Sequence, residues 1–238
     1  MFRFEDLDSV TRSRMLEEFR AEEGTRPYWS QRLSQRGLAE FSKLMEQAIA
    51  SGNEVSLAQV LADPAFWKPS APFVRSRKTH YRSINPTKAA ESLAVTEFNT
   101  WYVRGFARRL LEENEELCEV YRAAPAWEPR RECLQHDGRT YPVLEIYNGH
   151  RARYWPPPGN PGALSIPVGT NCHHTIRRLR TRRSNRVSGL CPLRGCGSHL
   201  FGHAVARRGV CRLSHREFQL QPWRAVPPFA PRPIRGLT

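Results

Sequence analysis

Hydrophobic residues recur at helical spacing through the first 63 positions, and this pattern predicts an N-terminal region of three helices. In the first helix, Val10, Met15 and Phe19 fall on the face that is expected to turn inward. Gly24 and Gly52 follow two of the periodic stretches, where glycine commonly ends a helix. The first predicted helix runs from about Ser9 to Glu23, the second starts after Ser34 and is ended by Gly52, and the third runs from Ser56 to Ala62.

A basic, proline-containing segment at residues 64–86 interrupts the helical pattern and is predicted to be a linker. Because it interleaves arginine and lysine with the aromatic ring of Tyr81, it could equally contact phosphate groups. A long helix is predicted after it, from about Thr87 to Glu113.

Beyond the long helix the pattern changes to short stretches typical of strands. Residues 117–123 and 141–147 are predicted to be strands, and a Pro/Gly loop at 154–162 leads to a last turn around Cys172. Residues 87–178 are therefore expected to form one unit, a long helix with a small β-rich module. Together with the N-terminal helices, this arrangement of helix and strand segments predicts an α+β fold.

The composition is that of a folded protein without a membrane span. Hydrophobic residues make up 39% of the 238 positions, and no stretch approaches the roughly 20 apolar residues of a transmembrane helix. The acidic N-terminal segment lacks the apolar core of a secretory signal. We therefore expect a cytoplasmic protein whose six cysteines are metal ligands or core residues rather than disulfides.

The net charge of +14 is concentrated towards the C-terminal end. Residues 175–238 contain fourteen arginines, no lysine and one acid, whereas the first 174 residues hold 23 basic and 22 acidic side chains. Because arginine binds phosphate in bidentate fashion, this distribution predicts contact with nucleic acid, most simply DNA. The predicted nucleic-acid-binding residues are Arg177, Arg178, Arg180, Arg182, Arg183 and Arg186.

Residues 179–238 have no hydrophobic periodicity, and we predict a disordered, Arg-rich tail. The absence of lysine and aspartate there also fits a second hypothesis, a GC-rich gene segment read out of frame. Cysteine and histidine in the tail offer an irregularly spaced second metal site. Its members are Cys191, Cys196, His199, His203, Cys211 and His215.

Cysteine and histidine also cluster in the β-rich module. Cys133 and His136 form a Cys-x-x-His turn just before Gly138, which permits a tight turn. Farther along, a cysteine is followed directly by two histidines at positions 172–174. These are ligands of the kind that hold tetrahedral zinc, although core cysteines and hydrogen-bonded histidines would explain the same residues. The predicted ligands are Cys133, His136, Cys172 and His174, with His173 as the alternate.

Motifs of several common enzyme classes are absent from the sequence. There is no Gly-x-Ser-x-Gly, no phosphate-binding glycine-rich lysine loop and no His-Glu-x-x-His. Two alternatives to a structural role stay open. A zinc-dependent nuclease would use His173 or His174 as its base, and His150 is a further candidate base or ligand. The N-terminal helices could instead belong to a DNA-binding regulator.

Between about Thr96 and Arg178 the sequence resembles the phage head-morphogenesis family typified by the Mu F minor head protein. That family has a long helix carrying Thr-Glu, then a strand, a Cys-containing turn that ends in Asp-Gly, and a closing His-Pro-x-Cys-Arg-Cys motif. Here Thr96-Glu97 falls in the long helix, residues 133–138 match the turn, and residues 167–174 stand at the closing motif.

This chain departs from the family pattern at the closing motif. Gly169-Thr170 replaces the His-Pro pair, and His174 replaces the second cysteine, which keeps a zinc ligand. The resemblance implies a non-catalytic minor capsid component that acts in head assembly or DNA packaging. Its partners would be DNA and capsid or portal proteins, and it would be associated with the virion. The N-terminal helices are similar to uncharacterised actinobacterial proteins.

Overall fold

The computed structural model describes residues 2–25, 27–125, 131–170 and 172–179, which form an α+β fold as the sequence predicted. The helices are α1 (Ser9–Glu23), α2 (Gln35–Ser51), α3 (Glu54–Leu61), α4 (Pro86–Glu112), α5 (Arg131–Leu134) and α6 (Val143–Asn148). The strands are β1 (Ser70–Arg75), β2 (Lys78–Ser83), β3 (Leu117–Arg122), β4 (Thr140–Pro142) and β5 (His174–Arg178). No helix in the described ranges is both long and apolar enough to cross a bilayer.

Polar side chains fix where the three N-terminal helices begin. Asp8, Ser34 and Asn53 each accept a hydrogen bond from a backbone N–H in the first turn of α1, α2 and α3, respectively. Such caps satisfy donors that have no partner inside the helix. Because Asn53 is the cap, α3 begins at Glu54, two residues before the predicted start.

Helix α4 lies at the centre of the core, and α1, α3, α6 and β5 all pack against it. Phe98, Tyr102 and Phe106 on α4 are fully buried. The crossing with α1 is close because α4 carries a glycine there. A Cβ on Gly105 would lie 2.5 Å from the backbone nitrogen of Met15.

One inward position predicted for α1 is wrong. Val10 is exposed, whereas Glu18 on the same helix is buried. The Glu18 carboxylate accepts hydrogen bonds from Arg104 at 2.6 Å and from Arg108 at 3.2 Å, both on α4. The contact between α1 and α4 is therefore partly ionic, which hydrophobic spacing alone does not reveal.

Residues 64–86, predicted as a linker, contain regular structure. A short 3-10 turn at Pro64–Phe66 leads into an antiparallel hairpin in which Ser70 pairs with Ser83 and Arg75 with Lys78. Both hairpin strands are exposed along most of their length. The alternation of apolar and polar residues that marks a half-buried strand is consequently absent.

The second sheet has the strand order β4-β3-β5, and both of its pairings are antiparallel. The strand predicted at 141–147 is wrong after Pro142, where the chain turns into helix α6. Pro142 has no backbone donor to continue a ladder, and the buried residues Val143 and Ile146 are spaced for a helix rather than a strand. The last turn predicted around Cys172 leads instead into a strand, β5.

Candidate metal site

Three side chains of the β-rich module meet in a group that could hold a metal ion. One ligand atom from each of Cys133, Cys172 and His174 lies within 4.8 Å of the others. The two Sγ atoms are 3.9 Å apart, and Cys172 Sγ lies 3.8 Å from His174 Nδ1. The three residues are only 5%, 3% and 2% exposed, respectively. The group is therefore enclosed by the protein.

The donor set and its spacing fit a tetrahedral metal. With metal–sulfur bonds of about 2.3 Å, tetrahedral geometry places two thiolates about 3.8 Å apart. Neither Cys133 nor Cys172 forms a disulfide, so both sulfurs can serve as ligands. Two thiolates with an imidazole form a soft to borderline set, which favours zinc-like ions over magnesium or calcium.

Backbone hydrogen bonds hold the turn that carries Cys133. The Cys133 carbonyl accepts from the His136 N–H at 3.1 Å. Gly138 has φ of +70°, and its N–H donates to the carbonyl of Val120 in β3 at 2.8 Å. The left-handed backbone at this position suits glycine, as predicted for the tight turn. Because His174 pairs with the other edge of β3, the central strand positions both halves of the site.

The second ring nitrogen of His174 faces a carboxylate. His174 Nε2 is buried, has no hydrogen-bond partner among the described residues and lies 3.7 Å from Asp137 Oδ1. Burial lowers the pKa of His174, and Asp137 opposes that effect. The imidazole ring is then neutral at pH 7, as a metal ligand must be. Asp137 can orient the ring through Nε2, the nitrogen that does not face the cysteines.

His136, the remaining predicted ligand, does not belong to the group of three. Its Nδ1 lies 2.7 Å from the hydroxyl of Tyr141, and its Nε2 lies 3.4 Å from Gln135 Nε2. It is nevertheless close enough that its charge lowers the pKa of His174. The structure therefore brings together three of the four predicted ligands, with His136 beside them.

The alternate ligand His173 turns away from the group. Its ring packs edge-on against Phe2, with ring centroids 5.6 Å apart, and it lines a cavity beside Glu54 and Ala58 of α3. Successive residues of an extended chain point to opposite sides, so only one of the two adjacent histidines can face the cysteines. The structure selects His174.

His150, considered as a base or further ligand, lies in a separate buried cluster. Its Nε2 is 2.9 Å from a carboxylate oxygen of Glu22. Burial lowers the pKa of His150 to about 4, although the hydrogen bond to Glu22 opposes that shift. It is not part of the described metal-binding group.

A buried ion pair beside His150 was not predicted. Arg151 donates to both carboxylate oxygens of Glu97, at 3.2 and 2.6 Å. Its guanidinium lies over the rings of Tyr28 and Trp101, at 4.7 and 5.2 Å from their centroids. One sequence signal could have indicated such a partner, because Glu97 lies at helical spacing between Leu93 and Trp101, on the apolar face of α4.

Two of the six arginines predicted to bind nucleic acid are described, and both are engaged in ion pairs. Arg177 contacts Glu5 at 2.9 Å and Glu119 at 2.6 Å. Arg178 contacts Glu113, and it lies 3.5 Å from Glu115. Their charge is therefore partly neutralised within the protein. The other four and the second Cys/His cluster lie outside the described residues: Arg180, Arg182, Arg183, Arg186, Cys191, Cys196, His199, His203, Cys211 and His215.

No protein-family model matches the chain, and neither a curated protein nor a solved structure shows significant similarity to it.

Proposed function

We propose that the chain is a non-enzymatic, nucleic-acid-associated structural protein whose β-rich module is held together by zinc. The proposed ligands are Cys133, Cys172 and His174. The burial of all three side chains carries this proposal. Structural zinc sites are closed by protein ligands, whereas catalytic zinc keeps a position open to water and substrate.

The zinc would join two parts of the chain that are far apart in sequence. Cys133 lies in α5, whereas Cys172 and His174 flank the start of β5. The three-stranded sheet is short, and β4 has only three residues. A metal that binds only the folded module adds its binding free energy to folding, which a module of this size needs.

His136 is the proposed fourth ligand. It lies in the same turn as Cys133. Tyr141 engages its Nδ1 at 2.7 Å, so Nε2, which has only the longer 3.4 Å contact with Gln135 Nε2, would be the nitrogen that binds the metal. Zinc content should fall in His136→Ala if His136 is the ligand, whereas Asp137→Ala, at the nitrogen of His174 that faces away from the cysteines, should retain most of its zinc.

The association with nucleic acid rests on the net charge of +14. A role in phage head assembly or DNA packaging, beside capsid or portal proteins, rests on the resemblance over Thr96 to Arg178. His174 stands where that family has its second cysteine, and its place in the buried group supports the proposal. The gene should then lie beside portal and capsid genes. Adjacent genes of unrelated function would count against the phage role.

Elemental analysis of the purified full chain tests the metal site. We expect about one zinc per chain, as a single tetrahedral site holds one ion. That zinc should be lost in Cys133→Ser and in Cys172→Ser. Cys118→Ser is the matched control, since Cys118 is a buried cysteine of β3 outside the group. Zinc-free, folded protein, or equal loss in the control, would contradict the assignment.

A zinc-dependent nuclease is the competing function, with His173 or His174 as its base. Incubation of the full chain with plasmid DNA and added divalent metal should leave the plasmid intact if the role is structural. Metal-dependent cutting that disappears in His173→Ala or in His174→Ala would establish the nuclease instead.

A further inference from the structure

The β1–β2 hairpin has two chemically different faces. The register pairs Phe73 with His80, Arg75 with Lys78 and Ala71 with Arg82. Paired residues, and residues two apart along a strand, lie on the same side of a hairpin. One face therefore carries Arg75, Lys78, His80 and Arg82 around the ring of Phe73, and is called the cationic face here. The opposite face is uncharged, and its exposed Val74 and Tyr81 retain 74% and 72% of their accessible surface.

The cations of this region have no acidic partners among the described residues. No aspartate or glutamate occurs from Pro64 to Ala90, although six lysines and arginines do. None of Arg75, Lys78 and Arg82 forms an ion pair with a described residue, whereas arginines of α1 and α4 are paired with glutamates. The hairpin is thus a described surface on which several neighbouring positive charges are left uncompensated.

Two local features of the hairpin are unfavourable, and an anion would relieve the first of them. Arg75 and Lys78 stand directly opposite each other, and like charges at such positions repel. The turn residues Ser76 and Arg77 have φ of +52° and +61°, a region that favours glycine or asparagine. An arginine is therefore kept at the tip where glycine or asparagine would fit the backbone better.

A cleft at the base of the hairpin extends the same surface. It has a volume of about 450 Å³, and its lining includes Phe73 and Arg82 of the hairpin. Arg32 and Lys88 from the helical body also line it, and no carboxylate is among its described lining residues. Charge complementarity indicates an anionic occupant, and the continuity with the cationic face indicates an extended one.

We infer that the cationic face and this cleft bind the phosphodiester backbone of double-stranded DNA. The inference rests on the proposed function and names the surface that performs it. A two-stranded β-ribbon is narrow enough to enter a DNA groove, where arginine and lysine reach the flanking phosphates. The body of the protein then approaches the duplex from the side on which Arg32 and Lys88 lie.

Binding of the full chain to a 30-base-pair duplex, measured over a series of salt concentrations, tests this surface. The triple variant Arg75→Gln/Lys78→Gln/Arg82→Gln should lower the affinity at least about tenfold and reduce the salt slope by about 0.9 per lost phosphate contact. The control Arg14→Gln/Arg20→Gln/Arg36→Gln removes the same charge from arginines that are paired with glutamates, and should bind nearly as wild type.

Arg77, in the turn of the hairpin, supplies a second variant, in which a loss of DNA binding would not be explained by unfolding. Arg77→Gly removes one cation and places glycine at the positive φ, so the melting temperature should stay the same or rise while DNA binding weakens. Binding that is unchanged in Arg77→Gly and in the triple variant would overturn the inference.

The remaining outcomes separate this inference from the proposed function. A wild-type chain that binds no duplex even at low salt would remove the nucleic-acid role itself. Wild-type binding that the triple variant and the control reduce equally would leave that role standing but move it away from the hairpin. If the triple variant keeps DNA binding but loses binding to phosphatidylserine vesicles, the surface belongs to a membrane and the inference fails.

Discussion

The Arg151 side chain shows how far a buried charge depends on its partners. Its guanidinium is bound by Glu97 and covered by Tyr28 and Trp101. Arg151→Met would leave the buried Glu97 carboxylate without its cation. We expect this substitution to lower the free energy of unfolding by about 3–5 kcal/mol. Urea denaturation of the full chain measures the change.

Two further variants show whether the loss of stability in Arg151→Met comes from the unpaired Glu97 carboxylate or from lost packing. Arg151→Met/Glu97→Gln removes both charges of the buried pair and should recover part of the loss. Glu22, which lies 3.3 Å from Arg151 Nε, loses its cation in the single and the double variant alike, so the difference between them reports on Glu97. Arg14→Gln, which breaks partly exposed ion pairs with Glu17 and Glu112, should cost less than about 1 kcal/mol. If the single and double variants of the buried pair lost equal stability, the charge-based explanation would fail.

The pKa of His150 makes stability depend on pH. It is lowered to about 4 in the folded protein, chiefly by burial, against an ordinary value of 6.5. Between these values the unfolded chain binds a proton that the folded chain does not, so stability falls as the pH falls through this window. At about 1.4 kcal/mol per tenfold change in proton affinity, the loss from pH 7 to pH 4 is roughly 3 kcal/mol.

Denaturation at a series of pH values checks this assignment. His150→Gln should show a shallower loss of stability from pH 7 to pH 4 than wild type, whereas His80→Gln on the exposed strand β2 should follow wild type. Glu22, which accepts a hydrogen bond from His150, also has a lowered pKa, so some acid sensitivity should persist in His150→Gln. Identical pH profiles for all three proteins would contradict the role of His150.

The crossing of α1 and α4 depends on a glycine. A Cβ on Gly105 would meet the backbone of Met15 at 2.5 and 2.7 Å, and backbone atoms cannot move aside as a flexible side chain can. We expect Gly105→Ala to separate the helices and cost about 1–3 kcal/mol of unfolding free energy. Gly24→Ala is the control, since its nearest described neighbour would lie 3.4 Å away. Equal stabilities of the two variants would mean that α1 and α4 can shift to accommodate the added methyl group without cost.

Which elements the sequence could predict follows from how each one is buried. Helices α1, α2 and α4 each bury residues at helical spacing, and this pattern is visible in the sequence. The β1–β2 hairpin buries neither face, so no apolar alternation marks it. Helix α6 is six residues long, too short for its period to be distinguished from that of a strand. Elements that contribute few residues to the core cannot be recognised from the pattern of apolar residues along the sequence.

The candidate metal site was predictable in its residue types but not in its full geometry. Cys133 and the 172–174 cluster stood out because cysteine and histidine are uncommon and closely spaced there. The choice of His174 over His173 depends on the direction of the side chains as β5 begins, and the position of His136 depends on its contact with Tyr141. Such details are set by tertiary packing, which spacing alone does not encode.

The metal site and the described core should be independent of the C-terminal tail. Every described element precedes residue 180, and the first unit of the chain comprises Met1–Ser184. A chain truncated after Ser184 loses nine arginines and one glutamate, which leaves a net charge of +6. We expect it to keep its zinc and to unfold within about 0.5 kcal/mol of the full chain, since none of the described buried contacts is removed.

DNA binding should respond differently from stability in the same truncated chain. Fewer cations should weaken the affinity and reduce its salt slope, because each phosphate contact contributes to both. If the hairpin surface acts by itself, the Arg75→Gln/Lys78→Gln/Arg82→Gln substitutions should still reduce the binding that remains. Elemental analysis, urea denaturation and salt-dependent binding measure the three properties on one preparation. Loss of zinc on truncation would show that the module needs residues beyond 184, and its three described ligands would then not suffice.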